Sequence, residues 1–294
     1  MTDHFGHIDG DPLVIASISG GKDSAAVSLW LRGQGIEHER VFADTGWESW
    51  ITYSYMDAVL RPALGPIDVV RSEVGGMAGL VRKKAMFPGG TRRFCTDELK
   101  MKPIVAHMLK RAKETGRPVV SVVGVRAAES SKRAGMPEWD GYTSRAGDFD
   151  IWRPLIKWTE QDVIDIHHDH QLAPNPLYLH GARRVGCWPC IHARKSEVRL
   201  ISELDPARID LVEALEAEAT EIARERATAK GEELETERTF FIGKGHAQPK
   251  IRDVVEWSKT SRGGRQYELL DADPDAGCVR WGMCEHPETT DGAK

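Results

Sequence analysis

The stretch that most constrains this chain is residues 13–31, LVIASISGGKDSAAVSLWL. It opens with a branched apolar run over residues 13–18, which predicts a buried β-strand. Residues 25–31 predict a helix that ends near Gly33 and Gly35. The polar residues between these two elements are Ser19, Gly20, Gly21, Lys22, Asp23 and Ser24. A strand that turns through glycines into a helix start presents N–H groups and the positive end of the helix dipole, so it predicts a phosphate site.

This loop differs from the P-loop pattern G-x-x-x-x-G-K-[ST]. Its two glycines, Gly20 and Gly21, are adjacent, and an acid follows Lys22. The alternative reading is a tight turn that only caps the helix. The lysine, the acid and the two serines around the glycines favour the phosphate site over that turn, because each side chain can contact an anion or its counterion.

Composition excludes several classes of protein. The chain has 294 residues, 40% of them hydrophobic and 29% charged, with a formal net charge of −5. That balance is typical of a globular protein and excludes a strongly basic nucleic-acid binder, although a local basic patch stays open. We expect no membrane span and no secretory signal, hence a cytoplasmic protein. In that compartment, five cysteines are more typical of metal binding or catalysis than of a disulfide framework.

The order of elements predicts the fold class. Further strands are predicted over residues 38–43, 67–71 and 118–125, and helices over 50–60 and 98–115. Strands that alternate with helices at this spacing indicate an α/β fold, a Rossmann-like parallel sheet with helices on both faces. Ligands of such sheets bind beyond the carboxyl ends of the strands. The segments SGGKDS, DTGWE and GVRAAES all follow strands, so we expect them to meet in one crevice.

Other segments carry weaker signals. The glycine-rich, basic residues 74–90 predict a mobile loop, and the polar residues 131–150 predict a loop that faces substrate. Thr159, with an acid three residues later, predicts the start of a helix that ends near residue 170. Residues 205–237 predict a long charged helix, followed by a short strand in TFFIG and a helix in PKIRDVVEW. We therefore expect a nucleotide-binding domain over residues 1–200 and a helical, loop-rich C-terminal part over 201–294.

Four charged residues follow the predicted strands and are candidates for nucleotide contacts. Asp44 can accept a ribose hydroxyl or, together with Asp23, hold Mg²⁺ between phosphates. Arg126, Glu129 and Arg133 are spaced to share a helical face, where arginines can grip phosphate or sulfate and the glutamate can orient them. The alternatives are a surface turn at Asp44 and an ordinary ion pair at Glu129.

The cysteines predict a second kind of site. Cys187 and Cys190 have the C-x-x-C spacing of a metal or redox pair. Cys95 lies between two arginines and a helix start, where a thiolate is favoured. Cys278 and Cys284 add candidates in the tail. These five residues could hold an iron–sulfur cluster, with a structural zinc site or unconnected thiols as the alternatives.

Six segments, taken in order, resemble the phosphoadenylyl sulfate reductase family of the PP-loop ATP-pyrophosphatase superfamily. They are SGGKDS, FADTGWE, RRFCTDELKMKP, GVRAAESSKRA, WRPLIKWTEQDV and LYLHGARRVGCWPC. The resemblance covers roughly residues 13–195 and implies an adenine nucleotide alpha-hydrolase-like fold. It implies that residues 19–24 bind phosphate or sulfate and that Asp44 and Arg126 bind the nucleotide. It also implies that Cys95 joins Cys187 and Cys190 at a cluster.

The chain departs from the family pattern at two places. Cys95 follows Phe94, where cluster-type reductases carry paired cysteines, and the tail reads GMCEH in place of a Glu-Cys-Gly segment. The likeness to adenylating sulfur-transfer enzymes is at least as good. We therefore expect an ATP-dependent sulfurtransferase with Mg²⁺ and a [4Fe-4S] cluster, with Lys22, Asp23 and Cys95 in catalytic roles. The alternatives are a sulfonucleotide reductase and a non-catalytic nucleotide-binding subunit with a structural metal.

The partners follow from this chemistry. A nucleotide substrate is expected, together with a sulfur acceptor that is either a nucleic acid or a small molecule. A protein that donates sulfur or electrons is a further expected partner. The sequence leaves open whether the chain forms a homo-oligomer.

Overall fold

A six-stranded sheet lies at the centre of the computed structural model, which describes residues 4–241, 248–261 and 281. The strands are β1 (Leu13–Ile18), β2 (Glu39–Asp44), β3 (Asp68–Arg71), β4 (Val119–Val123), β5 (Trp139–Ser144) and β6 (Gly147–Trp152). Their order across the sheet is β3-β2-β1-β4-β6-β5, and only the pair β5 and β6 is antiparallel. The predicted α/β fold with a mostly parallel sheet is confirmed.

Ten helices surround the sheet within the described residues. They are α1 (Lys22–Gly33), α2 (residues 50–64), α3 (Gly76–Lys84), α4 (residues 94–115), α5 (Ser131–Ala134), α6 (Glu160–Asp169), α7 (Pro176–Leu179), α8 (Lys195–Leu204), α9 (Pro206–Thr228) and α10 (Ile251–Ser258). Two of them contain a π-helical turn, α2 over Met56–Leu60 and α4 over Asp97–Met101. A short 3₁₀ helix covers Ala127–Glu129.

Helices cover both faces of the sheet, as predicted. Alternate residues of a strand point to opposite faces, and β1 follows this rule. Val14 and Ala16 pack with α1 and α6 on one face, whereas Leu13 and Ile15 pack with α4 on the other. Five of the six residues of β1 are buried, and Ser17 is half-buried, so the strand that leads into the glycine loop has a fixed position.

The prediction of a mobile loop over residues 74–90 was wrong, because α3 occupies its centre. Met77, Leu80 and Val81 are buried in the largest apolar cluster at helical spacing. The glycines that indicated a loop serve close contacts instead. A Cβ on Gly76, whose φ is +69°, would lie 2.6 Å from the Thr45 carbonyl oxygen. A Cβ on Gly79 would lie 1.8 Å from the Val74 carbonyl oxygen.

The prediction of a loop over residues 131–150 was also wrong. The segment contains α5 and then the hairpin of β5 and β6, which pair from Trp139 with Trp152 to Ser144 with Gly147. The two tryptophan rings stack 5.0 Å apart with an interplanar angle of 7°. The strands are mostly polar on their outer face, which hid their alternation, and aromatic packing fixes the hairpin.

The predicted helix over residues 205–237 is shorter and is preceded by another helix. Asp205 separates α8 from α9, and its side chain accepts a hydrogen bond from the Arg208 N–H at the start of α9. Pro206 suits that first turn because its missing N–H would have no helical partner there. Thr239–Phe241 of TFFIG forms no strand; the rest of that segment lies outside the described residues.

One apolar cluster joins the C-terminal helices to the part of the chain that contains the sheet. Ile209 and Val212 of α9 and Ile251 of α10 are buried with Trp47 and Trp188. Glu216 fixes this junction, since its carboxylate accepts hydrogen bonds from the N–H groups of Phe240 (2.8 Å) and Ile251 (3.0 Å).

The division into domains at residue 200 remains a prediction. Among the described helices, none has the length and apolar character that crossing a membrane requires.

Candidate functional site

A cavity of about 520 Å³ lies beyond the carboxyl ends of β1, β2 and β4. Nine of the residues predicted from the sequence line it: Ser19, Gly21, Asp23, Ser24, Cys95, Glu129, Arg133, Cys187 and Cys190. The glycine loop and the three cysteines therefore face one space. This is the position at which parallel α/β sheets bind ligands.

Four other predicted residues, Gly20, Lys22, Asp44 and Arg126, are not among those that line the cavity. Each of the four is next in sequence to a residue that lines the cavity or, for Arg126, forms an ion pair with one. The remaining two, Cys278 and Cys284, lie outside the described residues, so their role as metal ligands stays a prediction.

The loop is shaped by hydrogen bonds among its own residues. The Ser19 N–H donates to Ser24 Oγ at 3.1 Å, and Ser24 Oγ donates to the Gly21 carbonyl at 2.8 Å. Gly20 has a φ of +76°, and a Cβ there would lie 2.6 Å from Thr52 Cγ2. Only glycine adopts this conformation at low cost. Gly21 precedes the first turn of α1 with no side-chain cap, so that helix end is suited to an anion.

Residues from far along the chain support the loop from behind. The Lys22 N–H donates to the Tyr178 hydroxyl at 3.1 Å, and the Lys22 carbonyl is 3.0 Å from His167 Nε2. Asn175 Nδ2 donates to the Gly20 carbonyl at 3.1 Å. All three side chains are buried. Burial lowers the pKa of His167 despite the backbone contacts that oppose the shift, so its ring is neutral near pH 7.

The two charged residues of the loop are already paired. Asp23 forms an ion pair with the buried Arg126, and Lys22 Nζ lies 3.3 Å from Asp23 and 3.3 Å from Glu160. The Lys22 ammonium also lies 5.0 Å from the centre of the Tyr178 ring. In this arrangement the Lys22 side chain contacts residues of the protein that surround the loop. Its contact with a phosphate stays a prediction.

Asp44 ends β2 as predicted, and its carboxylate is engaged within the protein. It accepts hydrogen bonds from Tyr53 (2.6 Å), the Gly46 N–H (2.9 Å) and Arg71 (2.9 Å). Burial alone would raise the pKa of Asp44, but these donors hold it below its ordinary value. Asp44 is therefore ionised near pH 7. Its predicted roles toward ribose or Mg²⁺ stay predictions.

The segment after β4 contains the predicted arginine and glutamate contacts in a modified form. Glu129 accepts the Arg126 backbone N–H at 2.9 Å and forms an ion pair with Arg133. The Arg126 guanidinium points to Asp23 instead of to Glu129. Glu129 therefore positions Arg133 at the cavity, whereas Arg126 positions the loop.

The wall that carries the cysteines is built by contacts between distant segments. Cys187 pairs with Glu48 in an isolated antiparallel bridge, and the Trp188 N–H donates to the Trp47 carbonyl at 2.7 Å. The His192 N–H donates to Cys190 Sγ at 3.5 Å. None of the three cysteines in the described residues forms a disulfide.

Lys100 is the cation that faces these thiols. It lines the cavity together with Cys95, Cys187 and Cys190. Burial would lower the pKa of Lys100, but Cys187, Glu48 and Cys190 raise it. Burial raises the pKa of the Cys187 thiol, with Lys100 opposing that shift, and burial also raises the pKa of Cys95. The wall thus combines three thiols with a retained positive charge.

Several residues of the site were not identified from the sequence. Thr45 and Lys132 line the cavity, and Tyr178 and Asn175 hold the loop from positions more than 150 residues away. The signal for Tyr178 was its place in the LYLHGARRVGCWPC segment. Nothing in the local sequence indicates that its hydroxyl meets Lys22.

Comparisons with known proteins identify the family of the chain. Residues 13–193 match the family model described as phosphoadenosine phosphosulfate reductase domain. The 37.8 kDa protein in the gpa 5′ region of Escherichia phage 186 is 31% identical, over 92% of this chain and 96% of its own length. The adenosine 5′-phosphosulfate reductase of Mesorhizobium japonicum is 28% identical, over 60% of this chain and 65% of its own length.

Among solved structures, the phosphoadenylyl-sulfate reductase of Candida auris is similar, with a TM-score of 0.47 and 16% identity. The match covers 63% of this chain and 85% of that chain. The family model covers more than half of the present sequence, including the loop and all three described cysteines. The chain therefore belongs to the phosphoadenosine phosphosulfate reductase domain family, a family of nucleotide-binding enzymes in the PP-loop superfamily.

Proposed function

We propose that this protein is an ATP-dependent sulfurtransferase, which activates an acceptor by adenylation and then delivers sulfur to it. One observation carries the proposal: the glycine loop and the three cysteines line the same cavity of about 520 Å³. A phosphate site alone would fit any nucleotide-binding protein. Because the phosphate site and three thiols line the same cavity, a reaction that uses both a nucleotide and sulfur is supported.

The cavity has the charge that a nucleotide triphosphate needs. Ser19 and Ser24 offer hydroxyl groups at the loop, beside the N-terminal end of α1. Arg93, Lys132, Arg133 and Arg184 add positive charge around the rim. Phosphates at the loop would share the cavity with the three cysteines. Mg²⁺ between the phosphates, held in part by Asp23, completes this proposal.

In the first step, an oxygen of the acceptor attacks the α-phosphorus of ATP. A new phosphorus–oxygen bond forms, the bond to the β-phosphate breaks, and pyrophosphate leaves with its electron pair. The loop N–H groups and the rim cations stabilise the charge that develops on pyrophosphate. The product is an acceptor whose oxygen now leaves easily as AMP.

The donor set fits a thiolate-bound iron–sulfur cluster. Cys95, Cys187 and Cys190 would hold it, and Cys278 or Cys284 is the proposed fourth ligand. Each thiolate of such a cluster binds iron, as cysteines brought together from distant segments can. A structural zinc site held by the same thiolates is the alternative. Such a cluster would supply or anchor sulfur beside the nucleotide.

In the second step, a sulfur nucleophile at the cysteine wall displaces AMP. The bond from acceptor to sulfur forms as the bond from acceptor to oxygen breaks. Sulfur at the level of sulfide needs no further electrons. Persulfide sulfur needs two electrons from a thiol reductant, which is the partner protein that we propose. The acceptor is a nucleic acid or a small molecule.

A second candidate, reduction of adenylyl or phosphoadenylyl sulfate, is favoured by a separate observation. Trp281 is buried beside the loop support, with its ring 5.3 Å from that of His167 and 5.9 Å from that of Tyr178. Cys284 follows three residues later in the sequence. In this reaction a thiolate attacks the sulfate sulfur and the nucleotide leaves, and a second thiol then releases sulfite.

Iron and sulfide content of protein purified without oxygen tests the first proposal. We expect a brown protein with iron and acid-labile sulfide, which Cys187→Ser loses while it keeps its affinity for ATP. The matched control is Asp23→Asn, which should keep the iron and lose affinity for ATP. A colourless protein with zinc supports a non-catalytic subunit, and one without metal supports the thiol reductase; either result contradicts the cluster.

A further inference from the structure

A second group of potential metal ligands lies on the far side of the sheet from the cavity. Glu39 begins β2 and Asp68 begins β3, so both lie at the amino edge of these parallel strands. His107 lies in α4, which packs across them. One ligand atom from each of the three side chains lies within 4.8 Å of the other two. They line a surface depression of about 600 Å³.

The imidazole of His107 has a ring nitrogen whose hydrogen-bonding capacity no described residue satisfies. Its Nε2 is buried and has no hydrogen-bond partner in the described residues. The nearest carboxylate oxygen, Asp68 Oδ2, is 3.6 Å away, which is too long for a hydrogen bond. Two ligand atoms that each lie about 2.1 Å from a shared cation are separated by roughly 3 to 3.5 Å. A cation between Nε2 and Oδ2 would therefore satisfy the buried nitrogen with little movement.

The charges around the group favour a cation. Glu39 and Asp68 place two carboxylates beside the His107 imidazole. Arg111 grips the Glu39 carboxylate through Nε at 2.9 Å and through Nη2, which fixes its orientation.

The remaining cations nearby are balanced by other acids. Glu114 forms ion pairs with Arg111 and with Lys110, and Arg71 pairs with Asp44. Among the described residues around the group, Asp68 has its contact with His107 and no lysine or arginine ion pair. Its carboxylate is therefore the surplus negative charge at this place.

We propose that Glu39, Asp68 and His107 bind a divalent transition-metal cation of the Mn²⁺ or Zn²⁺ class. One imidazole and two carboxylates suit these ions, and water completes the coordination. The ion joins β2 and β3 to α4, the helix that carries Cys95 and Lys100 at its other end. His107 is 12 residues beyond Cys95, or about 18 Å along the helix. The cation therefore stabilises this helix and takes no part in the chemistry of the cavity.

Titration with Mn²⁺, followed by electron paramagnetic resonance of the free ion, tests the site. Mn²⁺ binds thiolates poorly, and omitting nucleotide avoids Mn²⁺ on phosphates. We expect the full chain to bind one Mn²⁺ per molecule at this site and to melt at a higher temperature with it. His107→Ala and Asp68→Asn should each weaken binding at least tenfold and lose the shift in melting temperature.

His168→Ala is the matched control, because it removes an exposed imidazole from α6, and it should bind Mn²⁺ like the wild type. Asp68→Asn keeps the size of an exposed side chain, so it tests the site even if His107→Ala fails to fold. No binding of Mn²⁺ by the wild type, or equal binding by Asp68→Asn and the wild type, overturns the proposal. Neither outcome bears on the proposed sulfur transfer.

Discussion

Asp23 and Arg126 form a buried ion pair that connects the loop after β1 to the segment after β4. The side chains are 16% and 5% exposed. The two segments also approach closely as backbones, since a Cβ on Gly124 would lie 2.3 Å from the Asp23 carbonyl oxygen. The loop is therefore fixed from the neighbouring strand before any ligand binds.

Loss of this pair should destabilise the protein and weaken nucleotide binding. Arg126→Gln leaves Asp23 without its main partner, and breaking a buried pair costs about 3–5 kcal/mol of unfolding free energy. The double variant Asp23→Asn, Arg126→Gln should recover part of that loss, because it leaves neither charge alone. Denaturant unfolding of the single and double variants measures this coupling.

Arg153→Gln is the control for that series. Arg153 is also buried and bonds to Asp140 and the Pro137 carbonyl, away from the cavity. It should reduce stability and leave nucleotide affinity unchanged. Equal losses of affinity in Arg126→Gln and Arg153→Gln would argue that Arg126 has no specific role at the loop.

Gly20→Ala should destabilise the loop. The alanine must adopt a φ of +76° with its Cβ 2.6 Å from Thr52 Cγ2, and such strain costs about 1–3 kcal/mol. Adding Thr52→Ser removes the methyl group and should recover the steric part only. A Cβ at Gly33, the last residue of α1, would meet no atom within 4 Å. Gly33→Ala should therefore raise the free energy of unfolding by about 0.5–1 kcal/mol, because alanine loses less conformational entropy in a helix than glycine does. Thermal unfolding compares the variants; equal melting temperatures for Gly20→Ala and Gly33→Ala would contradict this.

Tyr178→Phe should weaken nucleotide binding while the fold is kept. It removes the hydroxyl that accepts the Lys22 N–H at 3.1 Å and leaves that buried donor unpaired, at about 1–3 kcal/mol. We expect affinity for the nucleotide to fall about tenfold. Tyr55→Phe is the control, since its hydroxyl donates to the Ala173 carbonyl and to no atom of the loop. Isothermal titration of both variants decides whether the effect is specific to Tyr178.

His38 should make stability depend on pH. Burial lowers its pKa from 6.5 to about 4, while its ring contacts the Ser28 hydroxyl at 2.7 Å and the Ile36 carbonyl at 2.9 Å. The folded state therefore binds a proton less tightly than the unfolded state. This contribution is complete above pH 6.5 and is lost as the pH falls toward 4.

His38→Gln measures that contribution, because other titrating groups cancel in the comparison. The difference in unfolding free energy between wild type and variant should shrink steadily as the pH falls from 6.5 to 4. A difference that stays constant over this range would show that folding does not lower the pKa of His38.

The parts of the fold that the sequence predicts are those with local signals. β1, the glycine loop and the start of α1 follow from a branched run and a turn within 19 residues, and Asp44 ends its strand as expected. The cavity itself follows from the rule for parallel sheets. Local patterns failed where glycines serve contacts between segments, as Gly76 does against Thr45, and where aromatic stacking holds the hairpin of β5 and β6.

The roles within the site depend on contacts that sequence distance conceals. Arg126 was expected at the nucleotide, yet it is buried against Asp23, 103 residues earlier. Lys100 and Cys187 line one cavity because the bridge between Glu48 and Cys187 closes its wall. Such pairs are set by tertiary packing, which a pattern along one chain does not encode.

Isothermal titration of the wild type with ATP and Mg²⁺, adenylyl sulfate and phosphoadenylyl sulfate tests the central claim most directly. We predict saturable binding of ATP with one site per chain, which Asp23→Asn abolishes. Tight binding of a sulfonucleotide with none for ATP would contradict the sulfurtransferase and assign the cavity to sulfonucleotide reduction.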